Sequence, residues 1–326
     1  MPGESQPDPN PPGIPSTPLA SPDDPGDLRG QLLADRYQVG QKIGEGGMCF
    51  VYLARDTTTG EQVAIKKLLP KLVNDRISMA RLRREATLGA KLAHPNVCHI
   101  IRLGETPAGF DYIVMPYLEG DLLCVRTARS GQLPLGATAE FVRDMAAGLH
   151  VAHEHGIIHR DLKPENIMIV RAPDGSERAV VMDFSLATEE SLRPSMQLTA
   201  DGLVVGTPEF MSPEQLRGDP LDRRSDIYSL AFMVYEMLTG KLPFDGPTQR
   251  DIMIARFKGV SIPIRQRRPD LNLPLTVEKV LTKALAYDPN QRYRTALEFS
   301  RAFTHAAKGR SSGIPGLSTL SRLFGR

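Results

Sequence analysis

A short polar run near the middle of the chain constrains its chemistry more than any other feature. The run His159-Arg160-Asp161-Leu162-Lys163-Pro164-Glu165-Asn166 is followed by Asp183, 17 residues after Asn166. At this spacing an Asp, a Lys, an Asn and a second Asp can supply one base, one cation and two metal-binding oxygens. That set of groups suits the transfer of a phosphoryl group.

Two more motifs precede this run. The segment Gly44-Glu45-Gly46-Gly47-Met48-Cys49 predicts a strand turn whose bare backbone N–H groups can lie over phosphates. The apolar strand Val63-Ala64-Ile65-Lys66 ends in a lysine that lies 22 residues after Gly44 and 19 before Glu85. Glu85 falls in the segment Asp75–Ala93, whose apolar residues recur with the helical period.

Together these motifs resemble those of protein kinases, over about residues 36–305. The segments Gly46-Gly47-Met48 and Met211-Ser212-Pro213-Glu214-Gln215 look like the eukaryotic-like serine/threonine kinases of bacteria. The resemblance implies a two-lobed α+β fold with ATP between the lobes. A small lobe (residues 36–116) would hold a twisted antiparallel sheet and one main helix, called helix C in this family. A larger, mostly helical lobe would cover residues 117–307.

The resemblance also implies a role for individual residues. Asp161 would accept the proton of a substrate hydroxyl, Lys163 would reach the γ-phosphate, and Lys66 would contact the α- and β-phosphates. Asn166 and Asp183 would hold Mg²⁺. The residues implied to contact ATP are Gly44, Gly46, Gly47, Val51, Ala64, Lys66, Glu85, Met115, Leu118 and Met168. Farther along, Asp226 would anchor the backbone of the catalytic loop and Arg292 would pair with Glu214.

Regulation by phosphorylation is implied by Arg160, because kinases with an arginine before the catalytic Asp are commonly switched in this way. The main candidate sites between Asp183 and Glu214 are Thr188, Ser191, Ser195, Thr199 and Thr207. We expect Thr207 to contact Asp161 and Lys163 as part of the substrate platform. We therefore predict autophosphorylation at Thr199, with Asp201 supplying part of the negative charge.

Two departures from the family pattern leave alternatives open. Ser185 stands where the family almost always has glycine, and serine narrows the backbone conformations of that segment. Cys49 stands where the third glycine of the family's glycine-rich loop usually lies. It is either a small residue that the loop tolerates or a redox-sensitive thiol. Both changes favour a pseudokinase scaffold, against which the intact Lys66, Asp161, Asn166 and Asp183 weigh. A small-molecule phosphotransferase would not be expected to carry the peptide-docking segment of residues 206–214 or Arg292.

Three histidines lie just before the catalytic run and a fourth begins it: His150, His153, His155 and His159. Zinc sites use such spacings, but no Cys or carboxylate completes a convincing set here. We expect two of the first three on the exposed end of a helix and His159 beneath the catalytic loop.

Composition limits the partners and the compartment. Residues 1–28 contribute −5 to a formal net charge of +2, so the remainder carries an excess of positive charge. The sequence shows no dense basic stripe with interleaved aromatics, so we expect protein substrates and no nucleic acid. Three widely spaced cysteines favour a reducing compartment, and no signal peptide or spanning segment is recognisable, so we expect a soluble cytoplasmic protein.

The two ends of the chain are predicted to be disordered. Residues 1–35 form a proline-rich arm, since nine of the 27 prolines lie within residues 1–26. Residues 308–326 form a basic tail, for which a short helix that binds a partner or a membrane surface is the alternative. A transient homodimer would allow autophosphorylation between two copies.

Overall fold

The computed structural model describes residues 27–46, 49–69, 72, 75–106, 109–172, 174–184 and 208–309. Several predicted features lie outside this part of the chain: residues 1–26 of the arm, Gly47, Ser185, Thr199, Thr207 and residues 310–326 of the tail.

The small lobe is built on an antiparallel sheet that has six strands within the described residues, in the spatial order β1-β2-β3-β4-β6-β5. Its strands are β1 (Leu32–Leu33), β2 (Tyr37–Glu45), β3 (Cys49–Asp56), β4 (Gln62–Leu68), β5 (Arg102–Glu105) and β6 (Asp111–Pro116). Tyr52, Ile65 and Val114 are directly paired across β3, β4 and β6, and all three are buried in one apolar cluster. Side chains alternate along a strand, so the neighbouring residues point to the opposite face.

The sheet begins earlier than the sequence indicated. Leu32 and Leu33 pair with Gln38 and Tyr37, and Leu28 and Leu33 are each only 1% exposed within the sheet's apolar cluster. The predicted boundary between the arm and the lobe at residue 36 is therefore wrong. Residues 27–35 lie in the lobe because burial of two leucines offsets the ordering of a short strand.

The predicted helix between Asp75 and Ala93 is present as α1 (Arg76–Gly89). The Asp75 side chain caps it by accepting hydrogen bonds from the N–H groups of Ile77 and Ser78, and such a cap stabilises a helix by about 1 kcal/mol. Leu82 and Ala86 anchor its inner face in an apolar cluster at the sheet. The helix ends at Gly89, with Ala90 as its C-cap, four residues short of Ala93.

The large lobe is mostly helical, as predicted. Its helices are α2 (Leu123–Ser130), α3 (Leu135–Glu154), α4 (Pro213–Arg217), α5 (Arg223–Thr239), α6 (Gln249–Lys258), α7 (Ile264–Arg267), α8 (Leu275–Ala284) and α9 (Ala296–Lys308). Nearly all of α5 is buried, and α3, α7, α8 and α9 pack against it. Three short strands, β7 (Gly120–Leu122), β8 (Ile167–Arg171) and β9 (Glu177–Val181), lie at the edge that carries the catalytic run. This arrangement confirms the predicted two-lobed α+β fold.

None of the helices in the described ranges combines the length and the apolar character that crossing a membrane requires.

Candidate active site

Five of the residues implied to bind ATP lie on one face of the small-lobe sheet, opposite the apolar cluster of Tyr52, Ile65 and Val114. Gly44 pairs with Val51, Val51 pairs with Lys66, and Ala64 pairs with Met115. Directly opposed residues in antiparallel strands share a face, as do residues two apart along one strand. Gly44, Val51, Ala64, Lys66 and Met115 therefore lie on a single face.

Lys66 joins this face to α1 and to the large lobe. Its Nζ donates to Glu85 Oε1 at 2.9 Å and to Asp183 Oδ1 at 2.8 Å. Burial lowers the pKa of Lys66, but the attraction of Asp183 and Glu85 outweighs it and raises that pKa above its usual value. Burial also raises the pKa of Asp183, and here Lys66 outweighs it, so the Asp183 pKa is lowered. Lys66 is thus a cation and Asp183 an anion at neutral pH.

The catalytic run forms a compact set of hydrogen bonds. Lys163 Nζ donates to Asp161 Oδ2 at 2.8 Å. Asn166 Nδ2 donates to the Asp161 carbonyl at 2.6 Å and to its Oδ2 at 3.2 Å. The Met182 N–H donates to the Asn166 carbonyl at 2.9 Å, which places the residue before Asp183 beside the same loop. Asp161, Lys163, Asn166 and Asp183 therefore lie together, as the motif spacing predicted.

Two residues of this region adopt left-handed backbone conformations although neither is glycine. Arg160 has φ of 67° and Asp183 has φ of 52°. Such conformations cost on the order of 1–3 kcal/mol and persist where surrounding contacts enforce them, often at functional sites. At Arg160 the contacts are visible: Asp226 Oδ1 accepts the Arg160 N–H at 3.0 Å, and Gln215 Nε2 donates to the Arg160 carbonyl at 2.6 Å.

Asp226 holds the start of the catalytic loop together with a histidine. Its Oδ2 accepts the His159 N–H at 2.9 Å and lies 2.7 Å from His153 Nε2. Burial raises the pKa of Asp226, but the hydrogen bond and charge of His153 outweigh it, so the pKa is lowered. Sequence reasoning assigned no role to His153, since no local signal connects it with a residue 73 positions away.

The other histidines differ in exposure. His159 is fully buried, binds the Met182 carbonyl at 2.9 Å and packs on Phe184 with ring centroids 4.9 Å apart. His155 is exposed, and His150 is partly buried. Within the described ranges, no group of three or more His, Cys, Asp or Glu side chains is arranged to hold a metal ion.

Glu214 and Arg292 form a buried bidentate pair in the large lobe. Arg292 Nη1 and Nη2 donate to the two Glu214 carboxylate oxygens at 2.7 and 2.8 Å, and the side chains are 0% and 5% exposed. Ser225 Oγ also donates to Glu214 Oε1 at 2.7 Å. The pair connects α4, which follows the implied peptide-docking segment, to the 3-10 turn Pro289–Gln291.

Met115 lies where β6 ends, beside a small cavity lined by Gly89, Cys98, Ile113 and Phe184. Leu118 and Met168 are partly buried, the latter on β8 opposite Leu122. Leu118 is two residues beyond Pro116, where the predicted adenine contact would use its backbone N–H.

Cys49 is partly buried and packs against the apolar cluster of Leu68 and Leu82. Burial raises the pKa of its thiol to about 11. The thiol is therefore mostly protonated at neutral pH, whereas the thiolate is the reactive form.

Comparison with known proteins agrees with this geometry. The family described as "Protein kinase domain" matches residues 37–305. Serine/threonine-protein kinase PknB of Mycobacterium leprae is 38% identical over 290 residues, which are 88% of this chain and 45% of the relative. Serine/threonine-protein kinase pkn3 of Myxococcus xanthus is 36% identical over 271 residues, 83% of this chain and 50% of the relative. The chain thus spans about half the length of these relatives.

Among solved structures, the PknI kinase domain of Mycobacterium tuberculosis superposes with a TM-score of 0.65 at 28% identity, covering 85% of this chain and 98% of that one. The family match spans both lobes and the site between them. The chain therefore belongs to the protein kinase family.

Proposed function

We propose that this protein is a serine/threonine protein kinase that transfers the γ-phosphoryl group of ATP to hydroxyl groups of protein substrates. The observation that carries the proposal is the continuous set of contacts from Glu85 through Lys66 to Asp183, beside the hydrogen-bonded group of Asp161, Lys163 and Asn166. The relatives' names support the same activity, although each relative is a longer protein.

The residues would act mainly by positioning and by charge. The face carrying Gly44, Val51 and Ala64 would cover the nucleotide, and Lys66, oriented by Glu85, would bind the α- and β-phosphates. Asp161 would accept the proton of the attacking hydroxyl. Lys163 lies 2.8 Å from Asp161 and would neutralise charge that develops on the transferred group.

Asp183 and Asn166 would hold Mg²⁺, because a carboxylate and an amide oxygen are the hard ligands that this ion prefers. The low pKa of Asp183 keeps the carboxylate ionised and fits this role. Bound Mg²⁺ supplies neutralisation of the β- and γ-phosphate oxygens.

Purified protein, Mg²⁺ and radiolabelled ATP test the proposal with a general protein substrate and with small-molecule acceptors, and Lys66→Met serves as the inactive control. A protein kinase labels serine and threonine residues of the protein substrate. ATP binding without transfer would indicate a scaffold, and labelling restricted to the small acceptors would indicate a small-molecule phosphotransferase. Either outcome would contradict the proposal.

We further propose that Thr199 is the main autophosphorylation site. Mass spectrometry after incubation with Mg²⁺ and ATP should find phosphate on Thr199, and Thr199→Ala should lose activity on the order of tenfold, because new charge-assisted hydrogen bonds to Arg160 are absent. Thr188→Ala is the matched control. A fully active enzyme with unmodified Thr199 would contradict this proposal. It would indicate that Asp201 supplies the negative charge without phosphorylation.

Transfer between two copies of the chain would require a transient homodimer. Dependence on ATP, together with three free cysteines, supports a cytoplasmic location.

A further inference from the structure

Arg256 is a buried cation that the proposed mechanism does not use. It lies on α6, and only 1% of its surface is exposed. Its guanidinium carbon is 4.8 Å from the centroid of the Phe232 ring on α5. Its Nη2 donates a hydrogen bond to the main-chain carbonyl of Glu209, in the 3-10 turn Pro208–Phe210. One side chain therefore joins two helices to this turn.

Residues of α5 also contact the same turn. Ser229 Oγ donates to the Phe210 carbonyl at 2.7 Å, and the Phe210 and Phe232 rings pack edge to face with centroids 5.2 Å apart. The carbonyls of Glu209 and Phe210, which are consecutive, are thus both bound by side chains of the large lobe. Contacts to main-chain carbonyls fix the path of the backbone, whatever side chains the turn carries.

The position of this turn bears on the candidate active site. It is followed by Ser212, whose side chain caps α4 in a reciprocal pair of hydrogen bonds with Gln215. Gln215 in turn donates to the carbonyl of Arg160, the residue before Asp161. A displaced turn would therefore shift the surface beside the proposed base.

We propose that Arg256 is a positioning residue for the protein substrate, because it holds the turn Pro208–Phe210 in the place against which the substrate chain docks. The inference rests on the proposed protein kinase function. Arg256 would affect the binding of the protein substrate. ATP would be bound by residues of the small lobe and of the catalytic loop.

Arginine suits this place better than lysine does. A planar guanidinium can lie with its face on an aromatic ring while its edge donates hydrogen bonds in the plane, whereas an ammonium group is a point charge on a flexible stem. Burial lowers the pKa of Arg256, and the charge of Glu209 opposes that change. The group stays protonated at neutral pH, since the ordinary arginine pKa is so high.

The test compares Arg256→Met and Arg256→Lys with wild type, and Lys258→Met, an exposed residue of the same helix, is the matched control. The measurements are KM for a protein substrate, KM for ATP, ATP hydrolysis without acceptor, thermal unfolding and amide hydrogen exchange across residues 208–217. We expect Arg256→Met to raise the protein KM about tenfold, as the loss of a charged hydrogen bond implies. Exchange across the turn should become faster, while KM for ATP and ATP hydrolysis stay unchanged. Arg256→Lys should recover part of the loss.

A folded Arg256→Met protein with wild-type protein KM and wild-type exchange would overturn the inference. So would an equal loss of ATP hydrolysis, which would mean a general structural role. If Arg256→Met does not fold, Arg256→Lys serves as the test. An unchanged KM for the protein substrate in Arg256→Lys would then contradict the inference. A wild-type protein that phosphorylates no protein substrate contradicts the proposed function instead, and the exchange comparison still tests whether Arg256 holds the turn.

Discussion

Replacing Asp161 with asparagine is expected to lower the rate of phosphoryl transfer by ~10²–10⁴-fold, the usual effect of removing a positioned base. Asparagine keeps the shape of the side chain, and its amide oxygen can still accept the hydrogen bond from Lys163 that wild-type Asp161 accepts at 2.8 Å. What it loses is the capacity to take a proton from the substrate hydroxyl. The initial rate of transfer from radiolabelled ATP measures the effect.

Folding and nucleotide binding should be unchanged in Asp161→Asn, because the side chain is 44% exposed and contributes little to packing. Thermal unfolding and nucleotide titration check both expectations. Asp219→Asn is the matched control, since it alters a surface ion pair with Arg217, and such pairs contribute between zero and about 1 kcal/mol. A transfer rate within twofold of wild type in Asp161→Asn would remove the proposed role of that residue.

The candidate site could be predicted from the sequence because its parts lie in short segments with characteristic spacing. Lys66 and Glu85 are 19 residues apart and meet at 2.9 Å, since a strand that runs into a helix places both on one side of the lobe. Asp161, Lys163 and Asn166 lie within six residues, so local backbone geometry alone brings them together.

Contacts between distant segments could not be predicted in this way where no motif of the family marks both partners. His153 binds Asp226 across 73 residues, and Arg256 binds the Glu209 carbonyl across 47. A hydrogen bond to a carbonyl leaves no trace in the identity of the accepting residue. The first strand, Leu32–Leu33, could not be predicted for another reason. A strand of two residues is too short to show a periodic pattern in the sequence.

Loss of the arginine of the buried Glu214 pair should destabilise the fold strongly. All five N–H donors of the Arg292 guanidinium are bound: two contact Glu214, and the acceptors of the rest are the carbonyls of Ala286, Arg224 and Tyr287. Arg292→Met leaves a buried carboxylate without its cation, which costs about 3–5 kcal/mol. Chemical denaturation measures the loss, and Arg129→Met, which breaks an exposed pair with Asp121, is the control.

The double variant Glu214→Gln, Arg292→Met should be more stable than Arg292→Met alone, because it removes the uncompensated charge as well as the pair. A double variant that shows the sum of the two single losses would contradict this view of the pair. It would mean that the interactions of the arginine with the three carbonyls, and not with the carboxylate, carry the stability.

Lowering the pH should reduce the difference in unfolding free energy between wild type and Arg292→Met. In wild type, burial raises the pKa of Glu214, but Arg292 outweighs it and holds the pKa below its usual value. A depressed carboxyl pKa stabilises the fold above the unfolded-state value of about 4.3, and that contribution is lost as the pH falls through the folded-state value. Without Arg292, burial becomes the largest influence on the Glu214 pKa and outweighs the remaining hydrogen bond from Ser225. Protonation of Glu214 therefore relieves the variant at a higher pH than it affects wild type. The deficit in unfolding free energy should therefore be largest at neutral pH and shrink toward pH 4, and a deficit independent of pH would exclude Glu214 as its cause.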